Sequence, residues 1–162
     1  MHTEKTMSKP LTVEMRGERE VVVTRGLDAP RDLVWDCHTK PELVQRWMLG
    51  PPGWTMPVCE IDFRVGGKYL HTWRHASDGE FSMHGIYREI ATPERIVVNE
   101  YFQEEESLVT QTFAAQGRKT TLTVVMRFSS ERAREAAVKT GMTDGMEQGY
   151  QKLDAILAAE QG

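Results

Sequence analysis

The chain has 162 residues, 40% of them hydrophobic and 27% charged, with a formal net charge of −4. That length is ordinary for one domain with a substantial core, and the composition is globular rather than disordered. Lys and Arg are scattered singly, which argues against a nucleic-acid surface, and no apolar run approaches the roughly 18–20 residues of a membrane span.

Residues 1–16 mix charges, Ser, Thr and one Pro without periodicity and read as a loose tail ahead of one domain over 17–162. The first ten are polar and lack the apolar centre of a secretory signal, so a cytoplasmic protein is expected. The β-branched run 18–27 predicts the first strand. It stops at Asp28-Ala29-Pro30, where Pro30 suits a first helical turn and Leu33, Val34 and Cys37 then share one helical face. Thr39-Lys40-Pro41-Glu42 reads as a capping box opening a second short helix, with Leu43, Val44, Trp47 and Met48 at helical spacing. Gly50-Pro51-Pro52-Gly53 ends it.

Six further strands are expected over 56–63, 68–75, 80–90, 95–102, 107–115 and 119–128, each bounded by Gly, Pro, Asp, Ser or Glu clusters. Strands so closely spaced imply an antiparallel meander. The chain then turns helical. Ser129 or Ser130 caps an Ala-rich helix, Gly141 interrupts it, and a longer amphipathic helix follows. Advancing about 100° per residue places Met142, Gly145, Met146, Gly149, Tyr150, Leu153, Ile156 and Leu157 within an arc of roughly 140°. Two glycines inside that stripe cost helix stability. Either a backbone approaches closely at Gly145 and Gly149, or space is left open beneath the helix.

This order of elements, an α+β chain with two short helices after the first strand, resembles the helix-grip fold of the START/SRPBCC superfamily. There a curved antiparallel sheet, here of about seven strands, wraps a long C-terminal helix and leaves a cavity between them. Four strings narrow the resemblance. They are Thr24-Arg25 with Asp28-Ala29-Pro30 and Val34-Trp35, then Thr39-x-Pro41-Glu42 with Trp47. Cys59 to Gly67 and Gly85-x-Tyr87-Arg88-Glu89-Ile90-x-x-Pro93-Glu94-Arg95 complete the set. They are similar to the branch typified by the C-terminal domain of the activator of the heat-shock-protein-ninety ATPase, across roughly residues 18–160. The branch often reads Trp-Trp-Gly-Pro after the second helix; here Met48 follows Trp47, and an aromatic residue reappears only at Trp54.

The cavity that this resemblance implies has candidate walls. Tyr69, His71 and Trp73 alternate along one strand and therefore share a face. His84 and Tyr87 come from the next strand, Trp47 and Trp54 stand near the mouth, and Met146, Gly149 and Tyr150 come from the last helix. Glu60 and Asp62 also share a face. An even loop through Val65-Gly66-Gly67 would set them beside Tyr69 and His71 as an acid/base couple. An odd loop would set Ile61 and Phe63 there and leave the carboxylates in water, the better arrangement because burying unpaired carboxylates is costly.

His71 and His75 lie about 13 Å apart along a strand, too far for one metal, and Cys37 and Cys59 lack the spacing of a zinc or redox pair. No nucleophile elbow, Walker loop or dinucleotide fingerprint occurs, so no cofactor is expected. The expected function is binding of a small apolar or aromatic ligand, without defined chemistry. The alternatives are a cyclase- or hydrolase-like enzyme using a cavity acid/base pair, or a regulator of a chaperone ATPase as the branch name implies.

Overall fold

The computed structural model describes residues 10–161. Its elements run β1 (Thr12–Arg16), β2 (Glu20–Leu27), α1 (Arg31–Thr39), α2 (Pro41–Trp47), β3 (Trp54–Ile61), β4 (Lys68–His75), β5 (Gly79–Ala91), β6 (Arg95–Phe102), β7 (Glu105–Gln116), β8 (Lys119–Phe128), α3 (Glu131–Lys139) and α4 (Met142–Gln161). The strands form one antiparallel sheet in the order β1-β2-β8-β7-β6-β5-β4-β3. Helix α4 lies against its inner face, which is the helix-grip arrangement.

The expected tail is corrected over 12–16, where β1 pairs with β2 from Thr12↔Thr24 to Arg16↔Glu20. Val13 and Met15 oppose Val23 and Val21, while Glu14 and Arg16 project to the other face. The charges between the two apolar residues hid a period-two pattern. The rest of the expected tail, residues 1–9, lies outside the described residues. The expected capping box also fails. Thr39 is the last residue of α1, and its hydroxyl donates back to the Trp35 carbonyl at 3.0 Å. Lys40 caps α2 without a side-chain bond. Ser130 does cap α3, accepting from the Ala133 N–H at 3.0 Å.

Over β2, β8 and β7 the inner face is densely packed. Leu153, Ile156 and Leu157 of α4 meet Val21, Val23, Leu27, Leu122, Val124, Met126 and Phe113 in one buried cluster. Each fully buried Leu or Val side chain there contributes about 1.5–3 kcal/mol relative to exposure. One charge sits in the same cluster. Arg25 of β2 is 1% exposed, and all its donors are used. Nε and Nη2 meet Glu147 at 3.1 and 2.9 Å, Nη1 and Nη2 meet Asp154 at 3.1 and 3.0 Å, and Nη1 also meets the Gly26 carbonyl at 3.1 Å. Burial alone would lower its pKa. The bonds and charges of the two carboxylates outweigh that and raise it, so the guanidinium stays charged. Two carboxylates one heptad apart on α4 thus fix the helix to β2.

Helices α1 and α2 fill one end of the grip. Trp35 stacks edge-on against Phe113 and Phe63, and the Trp47 indole donates to the Cys37 carbonyl at 2.8 Å. Gly149 lets α4 approach α2 closely. A Cβ there would stand 3.2 Å from the Trp47 carbonyl oxygen. Of the two readings for this glycine, the close approach is the one observed.

Candidate functional site

The turn between β3 and β4 decides which side chains face inward. Asp62 N–H bonds the Lys68 carbonyl at 3.0 Å and Gly67 N–H the Arg64 carbonyl at 2.8 Å, which sets Ile61 opposite Tyr69 and Cys59 opposite His71. Glu60 therefore pairs with Leu70 on the outer face, and Asp62 is exposed in an ion pair with Arg64 at 3.0 Å. The acid/base couple of either carboxylate with His71 is thereby removed. This is the odd-loop arrangement, with the carboxylates in water.

A carboxylate that the sequence reading missed does face inward. Pairing runs Ile61–Tyr69–Gly85–Glu100–Ser107 across β3 to β7, placing all five on the concave side. Gly85 leaves room for the Tyr69 ring to cross β5, and the Tyr69 hydroxyl donates to Glu100 Oε2 at 2.6 Å. A Cβ on Gly85 would fall 2.5 Å from Tyr69 Cζ and 2.7 Å from the Asn99 carbonyl oxygen. Burial raises the Glu100 pKa, and the bond from Tyr69 offsets that only in part. Burial, then the Glu100 charge, raises the Tyr69 pKa as well.

Beside this pair His71 is buried, with Nδ1 3.6 Å from the Cys59 sulfur. Burial pushes the imidazole down to about 4 and the Cys59 thiol up to about 11. Both are neutral near pH 7, the reverse of a thiolate–imidazolium nucleophile. The wall continues in aromatic rings. His71 meets Trp73 edge-on at 5.7 Å, Trp73 stacks on Phe81 at 5.0 Å, and Phe81 meets Phe102 at 5.8 Å. The Trp73 indole donates to the Met48 carbonyl at 2.7 Å, tying this wall to the end of α2. Phe81 and Phe102 point to the concave side, yet remain 38% and 36% exposed. Among the described residues no helix covers them as α4 covers β2 and β8.

Among the described residues no group of three or more His, Cys, Asp or Glu could hold a metal ion, and no helix is long and apolar enough to cross a membrane. A separate surface groove of about 350 Å³ between β1 and α3 is lined by Met15, Arg134, Glu135, Val138 and Lys139.

The family described as Activator of Hsp90 ATPase homolog 1-like protein matches residues 28–158. The chain belongs to that family. The structure is similar to that of a protein from Rhodobacter sphaeroides at 24% identity and a TM-score of 0.86, covering 92% of this chain and 98% of the other. It is also similar to protein Ms6760 from Mycobacterium smegmatis, at 21% identity, TM-score 0.84 and coverage of 93% and 99%. A further likeness is to an AHSA1-like protein from Aeromonas hydrophila, at 17% identity, TM-score 0.69 and coverage of 83% and 93%. At these identities the three share the fold. None of the curated proteins matches the chain.

The family's strings can now be read as geometry. In Gly85-x-Tyr87 the glycine is the gap under the Tyr69 ring, and Tyr87 faces the same side, 5.5 Å from that ring. Of the expected wall residues, Tyr69, His71, Trp73 and Tyr87 share the concave face of β4 and β5. Trp54 is half-buried beside His75 and Phe81 at 5.2 and 5.3 Å. Trp47 and Tyr150 are buried and stacked on each other at 5.7 Å within the helix layer, beside Gly149, and Met146 is half-buried against the core.

His84 is corrected. It pairs with Leu70, so it occupies the outer face, exposed and stacked on Tyr101 at 5.1 Å. A second buried imidazole was also missed. The His38 Nδ1 meets the Val34 carbonyl at 2.8 Å, Nε2 has no partner among the described residues, and burial pushes the ring down to about 4.

Proposed function

We propose that this protein binds a small, mostly apolar ligand against the concave face of β4, β5 and β6, with an aromatic body on Trp73, Phe81 and Phe102 and a polar end at Tyr69, His71 and Glu100. The observation that carries the reading is the exposure of two neighbouring aromatic rings, Phe81 and Phe102, on a face that is buried over β2 and β8. Inward aromatic rings left uncovered, beside a few convergent polar groups, match the composition of small-molecule sites. A ligand that covers about 200 Å² of such apolar surface gains about 5 kcal/mol before the cost of its immobilisation.

The chemistry of the wall favours binding over catalysis. Its thiol and imidazole are both held neutral, and the carboxylates expected to act with His71 lie outside. A thermal-shift screen with naphthyl, indolyl and alkyl-phenyl compounds tests the proposal. Stabilisation that rises with ligand concentration is expected in the wild type and is lost in Phe81→Ser/Phe102→Ser. The absence of any stabilising compound, or stabilisation unaltered in that double variant, contradicts it.

A further inference from the structure

Glu100 differs from the other charges of its neighbourhood. Lys68, Arg74, Arg88 and Arg95, the basic residues of β4, β5 and β6, are all exposed on the outer face. There Arg74 meets Glu80 at 2.9 Å, Arg95 meets Glu89 at 3.0 Å, and Arg88 meets Asn99. The inner residues of β3 to β6 include Cys59, Ile61, Tyr69, His71, Trp73, Phe81, Met83, Gly85, Tyr87, Ile90, Ile96, Val98, Glu100 and Phe102, with Trp54 and His75 paired at the far end of β4 beside Asp78, a set without Lys or Arg. His71 is neutral above about 4 and adds no positive charge.

The Tyr69 hydroxyl occupies Oε2, and among the described residues no other hydrogen bond and no ion pair reaches the Glu100 carboxylate. Elsewhere the most deeply buried charged side chain among the described residues, Arg25, is matched by two carboxylates on four bonds. A partly buried carboxylate with one neutral donor and no cation is an incomplete pair in a setting where incompleteness is costly.

Resting on the binding reading above, we propose that Glu100 receives the ammonium group of the ligand, so that the site selects organic amines with an aromatic or aliphatic body over the matching alcohols and carboxylic acids. The ammonium group supplies the missing cation and up to three donors. Glu100 Oε1 accepts one of them, beside the oxygen that Tyr69 holds. A carboxylic acid of equal shape meets like charge, and an alcohol offers one donor without charge.

Isothermal titration of the wild type with naphthylmethylamine, naphthalenemethanol and naphthoic acid reads this selection directly. The amine is expected to bind at least about tenfold more tightly than the alcohol, as a charge-assisted bond replaces a neutral one, and the acid more weakly than either. Glu100→Gln is expected to bring the affinities for amine and alcohol to within about twofold of each other. Tyr69→Phe, which keeps the carboxylate and the ring, is expected to retain the amine preference. Equal affinity of the wild type for amine and alcohol overturns the inference and leaves the binding reading standing, as does a Glu100→Gln protein that still prefers the amine. Failure of all three compounds and of the wider aromatic screen overturns both.

Discussion

Over β2, β7 and β8 the concave face is closed by the C-terminal half of α4, where Leu153, Ile156 and Leu157 are buried among β-branched and aromatic partners. Over β5 and β6 the same face ends in Phe81 and Phe102, 38% and 36% exposed. The two halves also treat charge differently. In the closed half Arg25 is matched by Glu147 and Asp154; in the open half Glu100 has a tyrosine hydroxyl and, among the described residues, no cation. A region built for stability completes its apolar contacts and its ion pairs internally. A region that leaves both unfinished is disposed to complete them with something else.

That contrast can be broken by substitution, most severely in the closed half. Arg25→Ala leaves two carboxylates against a buried cluster and is expected to cost about 3–5 kcal/mol, read as a fall in the urea midpoint. A loss below about 1 kcal/mol would show the lock to be incidental. Leu153→Ala is expected to cost about 3 kcal/mol by the cavity it opens, with ligand binding by the surviving folded fraction unchanged.

The titrating groups sharpen the comparison, because each half holds one buried neutral imidazole. His38 and His71 are pushed from 6.5 down to about 4. The stability they contribute is therefore complete above 6.5 and is lost as pH falls through about 4, up to about 3 kcal/mol for each ring. Urea midpoints at neutral and acidic pH for His38→Gln and His71→Gln should each show a shallower acid loss than the wild type. Glu100 has the opposite sign. Its carboxyl is raised above the ordinary 4.5, so its contribution is present below 4.5 and lost as pH rises through the folded value. Glu100→Gln is expected to flatten that side of the profile.

Smaller effects belong to the open half. Gly85→Ala drives a methyl into the Tyr69 ring and is expected to cost about 1–3 kcal/mol while separating Tyr69 from Glu100. Phe81→Ala removes a ring that is already 38% exposed. It should change stability by about 1 kcal/mol or less, yet weaken aromatic ligands in a thermal-shift titration.

Much of the framework was legible in the sequence because its signals are local. Turn residues marked seven of the strands, and the apolar stripe of α4 named Tyr150, Leu153, Ile156 and Leu157. Alternation placed Tyr69, His71 and Trp73 on one face. The errors arose where local pattern meets pairing. His84 and Tyr87 are an odd number of residues apart in one strand, so without a bulge between them they cannot both face inward; the register shift falls after Tyr87. Strand β1 was hidden because Glu14 and Arg16 dominate a short segment whose apolar residues are only Val13 and Met15. Glu100 was visible in principle, sharing a strand face with Ile96, Val98 and Phe102. Its partner Tyr69 lies two strands away across Gly85, and no pattern within one strand encodes that contact.

The most direct test of the central claim is a two-dimensional amide and indole NMR titration with naphthylmethylamine. The account predicts shifts concentrated at Tyr69, His71, Trp73 including its indole N–H, Phe81, Glu100 and Phe102, with Leu153 and Leu157 unmoved. Shifts confined to Met15, Val138 and Lys139 along the β1–α3 groove, or no saturable shifts for this or any other aromatic compound, would contradict it.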